Sequence, residues 1–157
     1  MKYNIPHGSQ GYALVPLQET VPPALLAQGD TPESIHAYLR KQIPVFPEVE
    51  TAYVVLLSTR RKILGHVQIS QGTLDTLPVH PREVFKPAIV ANASAIVFVH
   101  NHPSGDPSPS EADIKVTRDL HRAGQVLKID LLDHIIIGHP ANVPPFVSLR
   151  EQGYFYS

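Results

Sequence analysis

Apolar residues recur along the chain either at helical spacing or in dense runs typical of strands. These two patterns divide the chain into predicted elements. Ile35, Leu39 and Ile43 fall four residues apart, which predicts one face of an amphipathic helix. This helix is expected to begin after Thr31, an N-cap residue followed by proline, and to stop at the prolines beyond it. Residues 1–30 show neither pattern, so we expect an arm to which no chemistry is assigned.

Dense apolar runs rich in β-branched residues predict the strands of a sheet. Residues 52–57 and 63–69 are two such runs on either side of a polar turn, which predicts a β-hairpin. Residues 95–99 predict a buried strand that runs directly into His100. The remaining strands are predicted at residues 126–131, 134–137 and 146–149.

Two further helices are predicted between these strands. One begins at Pro81 and is distorted by Pro87, which cannot donate a hydrogen bond to the preceding turn. The other begins at a capping box formed by Ser110 and Asp113, and it is expected to end at Gly124. Strands interleaved with a few helices predict an α/β or α+β sandwich, with a mixed sheet flanked by helices.

Composition narrows the classes of function. Lys and Arg total 13 against 14 Asp and Glu, a net charge of −1, which argues against a broadly cationic nucleic-acid binder. No apolar run approaches the roughly 20 residues of a membrane span, and the start lacks the order of a secretory signal, so we expect a cytoplasmic protein without a membrane partner. Because cysteine is absent, a metal site has to use carboxylates and some of the nine His residues.

A candidate metal site follows the buried strand at 95–99. On an extended backbone, His100 and His102 project to the same side. A loop rich in Pro and Gly comes next, and the helix after Ser110 carries Asp113 in its first turn, so the loop can bring this carboxylate back to the two imidazoles. Two His and one carboxylate are typical of catalytic zinc with an open fourth position, where water becomes acidic enough to supply hydroxide at neutral pH. Polar residues at a strand edge and an ordinary helix cap are the simpler interpretation.

The spacing His-x-His-Pro-x(7)-Ser-x-x-Asp resembles the JAMM motif of MPN-type metalloproteases. The longer segment HNHPSGDPSPSEAD resembles the bacterial RadC branch in particular, and the resemblance extends from about Tyr53 to Arg150. It implies a cytidine-deaminase-like sandwich at residues 46–157, preceded at residues 1–45 by an N-terminal arm and a short helix. Ser110 would then stabilise the oxyanion of the substrate. The zinc ligands that the resemblance implies are His100, His102 and Asp113.

The resemblance also requires a Glu that acts as general base, and three residues are candidates for this role. Glu50 is chosen because it leads the predicted strand at 52–57. Glu48 would project to the same face if that strand started early. Glu83 is most simply a carboxylate in the first turn of a helix, where the helix dipole favours it.

The leading hypothesis is a zinc-dependent hydrolase that acts on an amide or isopeptide bond in a protein or peptide substrate. Glu50 would move the proton and Ser110 would assist the oxyanion. The alternative is a non-catalytic MPN-like module of DNA-repair or mobile-element complexes, but the complete ligand set favours the enzyme. Direct DNA association is expected to be weak, because the helix-hairpin-helix region that many RadC proteins carry is not recognised here. An HNH nuclease is disfavoured, since the residues of that motif are dispersed over a ββα-metal unit, whereas here they are contiguous.

His134 is the one other histidine considered for the site. Its simpler interpretation is an ordinary strand residue, and the alternative is a place behind the zinc ligands, with Asp133 as the candidate partner that orients its ring. His66 is expected to be a cross-strand residue of the hairpin, and His80 to precede or cap a helix.

Overall fold

The structure, a computed structural model, describes residues 26–43, 47–72 and 79–155. It also describes the backbone of two short strands, β1 (Tyr3–Asn4) and β2 (Val15–Pro16), which pair antiparallel. The rest of the expected N-terminal arm, up to residue 25, lies outside the described residues. None of the described helices has both the length and the apolar character that crossing a membrane requires.

A mixed five-stranded sheet forms the centre of the described chain, in the order β4-β3-β5-β6-β7. Only the β5–β6 pair is parallel, and the other neighbours are antiparallel. The element bounds are α1 Pro32–Gln42, β3 Thr51–Leu57, β4 Ile63–Gln71, α2 Pro81–Val90, β5 Ala95–Asn101, α3 Glu111–Leu127, β6 Asp130–Ile137 and β7 Phe146–Ser148. The expected α+β fold with a mixed sheet and flanking helices is therefore confirmed.

Helices cover both faces of the sheet, and this explains why β5 is apolar at successive positions. On one face, here called the α3 face, Ile96 and Phe98 pack in a cluster with side chains of α2 and α3. On the opposite α1 face, Val97 and Val99 pack in a second cluster that includes Ile35 of α1. Every residue of β5 is buried, as expected for a central strand that is covered on both sides.

The N-cap predicted for α1 and the turn predicted between β3 and β4 are both present. The Thr31 hydroxyl oxygen accepts a hydrogen bond from the Ser34 amide at 3.1 Å, and Ser34 Oγ accepts one from the Thr31 amide at 3.2 Å. This reciprocal cap starts α1 at Pro32, the proline predicted at its first position. In the hairpin, Arg61 adopts a positive φ of 60° at the turn.

The boundary between α3 and β6 differs from the sequence prediction. Helix α3 does not end at Gly124 but continues to Leu127, with Lys128 as a left-handed C-cap at φ 59°. Val126 belongs to the helix and is 81% exposed, so the strand predicted to begin at Val126 begins only at Asp130. The two strands expected up to residue 137 form the single strand β6.

Gly124 stays inside α3 because the helix approaches the start of β6 very closely there. A Cβ at this position would lie 2.5 Å from the carbonyl oxygen of Ile129 and 3.3 Å from Cζ of Phe85. Gly124 therefore permits a close helix–strand contact, and does not mark a helix end.

Gly124→Ala is expected to lower the free energy of unfolding by about 1–3 kcal/mol, because the added methyl group overpacks this contact. At an unconstrained helix position the same change would raise stability by about 1 kcal/mol. Chemical denaturation measures the difference, and Gln125→Ala at the exposed neighbouring position is the control, with an expected effect within about 0.5 kcal/mol. A Gly124→Ala protein as stable as wild type would contradict the close approach.

Candidate metal centre

Four side chains that could hold a metal ion converge at one edge of the sheet. Their ligand atoms lie within 4.8 Å of one another, and they belong to Glu50, His100, His102 and Asp113. Among the residues described, no other group of three or more His or acidic side chains meets the same criterion. The structure thus brings together the three predicted metal ligands and one of the three candidate bases.

Strand register explains why Glu50 reaches this edge. Strands β3 and β5 are antiparallel, with Ala52 paired to His100. Glu50 comes two residues before Ala52, and so it arrives opposite His102, two residues after His100. Its Oε1 lies 3.7 Å from His100 Nε2, and its side chain is 13% exposed.

The other two candidate bases lie outside this group. Glu48 is exposed in the segment before β3. Glu83 is exposed in the first turn of α2, where a carboxylate favours the helix N-terminus. Only Glu50 among the three is therefore placed to act on a molecule bound at the candidate centre.

The capping box of α3 holds the carboxylate of Asp113 in place. Asp113 Oδ2 accepts a hydrogen bond from the Ser110 amide at 2.8 Å, and Ser110 Oγ accepts one from the Asp113 amide at 3.2 Å. The same Oδ2 lies 3.2 Å from His102 Nε2, while Oδ1 lies 3.0 Å from His100 Nε2. The cap does not use the hydrogen of the Ser110 hydroxyl, so the predicted donor to an oxyanion is compatible with its capping role.

The spacing of these atoms fits a tetrahedral metal ion. Zinc bonds to His and carboxylate of about 2.0–2.2 Å put neighbouring ligand atoms about 3.3–3.6 Å apart in a tetrahedron. The Nε2 atoms of His100 and His102 are 3.2 Å apart, and they lie 3.0 Å from Oδ1 and 3.2 Å from Oδ2 of Asp113, respectively, all slightly closer than this. Two imidazoles and a carboxylate are also donors that zinc accepts.

The electrostatics of the group favour a cation. Burial would raise the pKa of the Asp113 carboxyl, but hydrogen bonds from His100 and His102 outweigh burial and hold this pKa well below its usual range. Burial likewise opposes the charged form of His102, while its hydrogen bonds to Asp113 and to the Asp106 carbonyl raise its pKa. The Asp113 side chain is thus an ionised carboxylate in contact with the imidazoles of His100 and His102.

Asn101, which is not among the predicted site residues, holds the segment that carries Glu50. Its Oδ1 accepts a hydrogen bond from the Thr51 amide at 2.7 Å. Its Nδ2 donates to the carbonyl oxygens of Pro47 at 3.1 Å and Val49 at 3.3 Å. A polar residue at the end of a buried strand needs such partners, and this requirement is the signal that could have identified Asn101.

Asn101→Ala is expected to reduce the free energy of unfolding by about 2–3 kcal/mol, because the buried Thr51 amide loses its acceptor along with two further hydrogen bonds. Hydrogen exchange at that amide should accelerate in the variant. Asn142→Ala provides the control at an exposed Asn, and denaturation of both variants tests the prediction. Equal stability of the two variants would mean that Asn101 does not clamp this segment.

Behind His100 lie two buried residues, His134 and Thr117. His134 Nε2 is 2.8 Å from His100 Nδ1, and His134 Nδ1 is 2.7 Å from Thr117 Oγ1. Burial lowers the pKa of His134 well below its usual value, so its ring is neutral. The position of His134 behind a predicted ligand agrees with the hypothesis from sequence, whereas Thr117 was missed.

The predicted orientation of the His134 ring by Asp133 is wrong. Asp133 Oδ1 accepts a hydrogen bond from the His134 backbone amide at 2.7 Å and does not contact its ring. Its Oδ2 accepts one from the Ser148 hydroxyl at 2.6 Å, which ties β6 to β7. Successive strand residues point to opposite faces, so adjacent side chains such as these two cannot orient one another.

The family model of the RadC-like JAB domain matches residues 30–154. A UPF0758 protein of Caldanaerobacter subterraneus subsp. tengcongensis is 52% identical over 102 residues, covering 65% of this chain and 42% of the relative. A UPF0758 protein of Desulforudis audaxviator is 42% identical over 125 residues, or 80% of this chain and 52% of the relative.

A UPF0758 protein of Thermotoga maritima is 41% identical over 120 residues, covering 76% of this chain and 52% of the relative. The chain therefore spans about half the length of the curated relatives that it matches. The family match includes all four residues of the candidate metal centre and every element from α1 to β7. On this match, and with a fold of the corresponding type, the chain belongs to the RadC-like JAB domain family.

Proposed function

We propose that this protein is a zinc-dependent hydrolase that cleaves an amide or isopeptide bond in a protein or peptide. The observation that carries the proposal is the convergence of Glu50 with His100, His102 and Asp113. Three of these residues form the two-His, one-carboxylate set that leaves an open position on zinc. The fourth is a carboxylate beside that set, as general acid–base catalysis requires.

The donor atoms of these residues determine which of them would bind the metal. His100, His102 and Asp113 would hold the zinc ion through Nε2, Nε2 and a carboxylate oxygen. When bound, zinc would supply Lewis acidity for the carbonyl and for water. Because no Cys is available, the site offers only nitrogen and oxygen donors, and two imidazoles with one carboxylate are a ligand set of catalytic zinc.

Glu50 would transfer the proton, and Ser110 would stabilise the oxyanion. The Glu50 carboxylate would accept a proton from the attacking water and deliver it to the leaving amine, and a contribution of about 10²–10⁴-fold is usual for such a group. The Ser110 hydroxyl, whose oxygen accepts from the Asp113 amide, would donate its hydrogen to the oxyanion of the substrate. Both groups come from segments fixed by backbone hydrogen bonds, and such preorganisation is what electrostatic catalysis needs.

A cleavage screen tests the proposal. Zinc-loaded protein is incubated with a proteome-derived peptide library, with isopeptide-linked peptides and, as a separate arm, with DNA and RNA. Mass spectrometry should find new amino termini with wild type, and these should disappear after chelation and in Asp113→Asn, but persist in the α3 control Asp119→Asn. If the fully zinc-loaded protein cuts no amide bond, the hydrolase proposal is wrong, and a non-catalytic metal-binding module is the better description.

A further inference from the structure

A chain of buried hydrogen bonds lies behind the candidate metal centre, on the side of His100 away from Glu50. It consists of Thr117 on α3 and His134 on β6, and both are buried, with 1% and 0% exposure. Thr117 follows Asp113 by one helical turn, and His134 lies on the strand beside that of His100. Neither residue belongs to the group that could hold the ion.

The backbone carbonyl of Asp113, which can only accept a hydrogen bond, sets the direction of the hydrogen bonds in this chain. Thr117 Oγ1 lies 2.9 Å from the backbone carbonyl oxygen of Asp113. A carbonyl has no hydrogen, so the single hydroxyl hydrogen of Thr117 must be donated to it. His134 Nδ1, which lies 2.7 Å from the same Oγ1, must then donate its own hydrogen to the hydroxyl oxygen.

This arrangement determines where the hydrogen of His100 sits. The ring of His134 is fully buried, and its two nitrogens face the Thr117 hydroxyl and the His100 ring. With hydrogen on Nδ1, His134 carries a lone pair on Nε2. When His100 holds zinc through Nε2, the atom facing Asp113 and His102, its hydrogen is on Nδ1 and is donated into that lone pair, 2.8 Å away.

We propose that Thr117 and His134 are positioning residues that fix the Nδ1–H tautomer of His100 and thereby direct its Nε2 lone pair at the metal. The chain begins at the backbone of Asp113 and ends at the ring of His100, so it links two of the three proposed ligands. The inference rests on the proposed function only in that this group binds zinc.

His102 provides an internal comparison. Its Nδ1 lies 2.8 Å from the carbonyl oxygen of Asp106, so it too donates from Nδ1 and presents Nε2 to the centre. A single backbone carbonyl in the loop thus fixes the tautomer of His102, as the Thr117–His134 pair fixes that of His100. The difference is that the pair for His100 is made of side chains, which can be changed by mutation.

Zinc affinity of the whole chain, measured by competition with a chromophoric chelator, gives the first test. His134→Leu removes the acceptor, and we expect binding about 10–100-fold weaker, the usual cost of losing a partner that orients a metal ligand. His134→Gln should recover most of this loss, because its amide oxygen can accept near the former Nε2 position. Thr117→Val, which is close in shape, should weaken binding several-fold.

The matched control is His66→Leu. His66 is a half-buried histidine whose Nδ1 lies 2.9 Å from the Tyr38 hydroxyl, outside the metal group. Its loss should leave zinc affinity unchanged. If His134→Leu binds zinc as tightly as wild type, this inference is wrong while the metal site stands, whereas wild type that fails to bind zinc overturns the proposed function instead.

A spectroscopic test needs no variant and therefore does not depend on a mutant folding. In the zinc-loaded protein labelled with ¹⁵N-histidine, NMR should show a slowly exchanging proton on His100 Nδ1 with scalar coupling across the hydrogen bond to His134 Nε2. In His134→Gln that proton should remain, but the nitrogen–nitrogen coupling should vanish. A proton found on His134 Nε2 in wild type would reverse the direction of the chain and overturn the inference.

Discussion

Replacing Glu50 with glutamine is expected to lower kcat for amide cleavage by about 10²-fold or more, with zinc content and stability close to those of wild type. The amide keeps the shape of the side chain but cannot accept the proton. Glu50 Oε1 is 3.7 Å from His100 Nε2, close enough to reach a molecule bound at the open position on the metal. Steady-state kinetics on a peptide from the cleavage screen, with elemental analysis of the same sample, measure both quantities.

Two neighbouring glutamates serve as controls for this substitution. Glu48→Gln changes an exposed carboxylate only two residues away, and Glu83→Gln changes an exposed carboxylate in the first turn of α2. Both variants should keep their activity, and Glu83→Gln should cost at most about 1 kcal/mol of stability at the helix N-terminus. Loss of cleavage in either control, with an active Glu50→Gln enzyme, would transfer the role of general base to that residue.

His102→Ala is expected to remove the metal while the fold persists. Wild type should contain close to one zinc per chain, and loss of a direct ligand should weaken affinity by more than the roughly 10–100-fold that an orienting partner contributes. His102 follows the end of β5 and lies outside both hydrophobic clusters, so their packing does not depend on it. Elemental analysis after dialysis measures the metal, and circular dichroism measures the fold.

The matched control for metal content is His80→Ala. His80 is an exposed histidine before α2 whose side chain makes no capping hydrogen bond, so this variant should retain all of its zinc. Full zinc occupancy in His102→Ala under the same dialysis would rule out His102 as a ligand. Unfolding of His102→Ala would instead show that the site is required for the fold.

Much of the fold could be predicted because its signals are local. The Thr31 cap and the proline after it start α1, and the uninterrupted apolar run before His100 indicates a central strand. The His-x-His spacing and the capping box at Ser110 likewise fix which way the three predicted ligands point, since strand alternation and the first helical turn determine this geometry.

The features that sequence did not predict depend on partners distant along the chain. Val126 and Leu127 begin the segment up to residue 131 whose apolar residues suggest a strand, yet they lie on exposed positions of α3. The sequence favoured Glu50 as general base but left Glu48 open, because apolar runs do not specify the register of β3 against β5. Thr117 gave no local signal, because its role comes from a contact with a residue 17 positions away.

Anomalous diffraction at the zinc absorption edge, on crystals of the wild-type protein purified with zinc, is the most direct test of the metal site on which this account depends. We expect one strong peak about 2.0–2.2 Å from Nε2 of His100, Nε2 of His102 and a carboxylate oxygen of Asp113. The Glu50 carboxylate should lie beside the ion without binding it. A zinc peak held by other residues, or no peak among these three in crystals that contain zinc, would contradict this metal site.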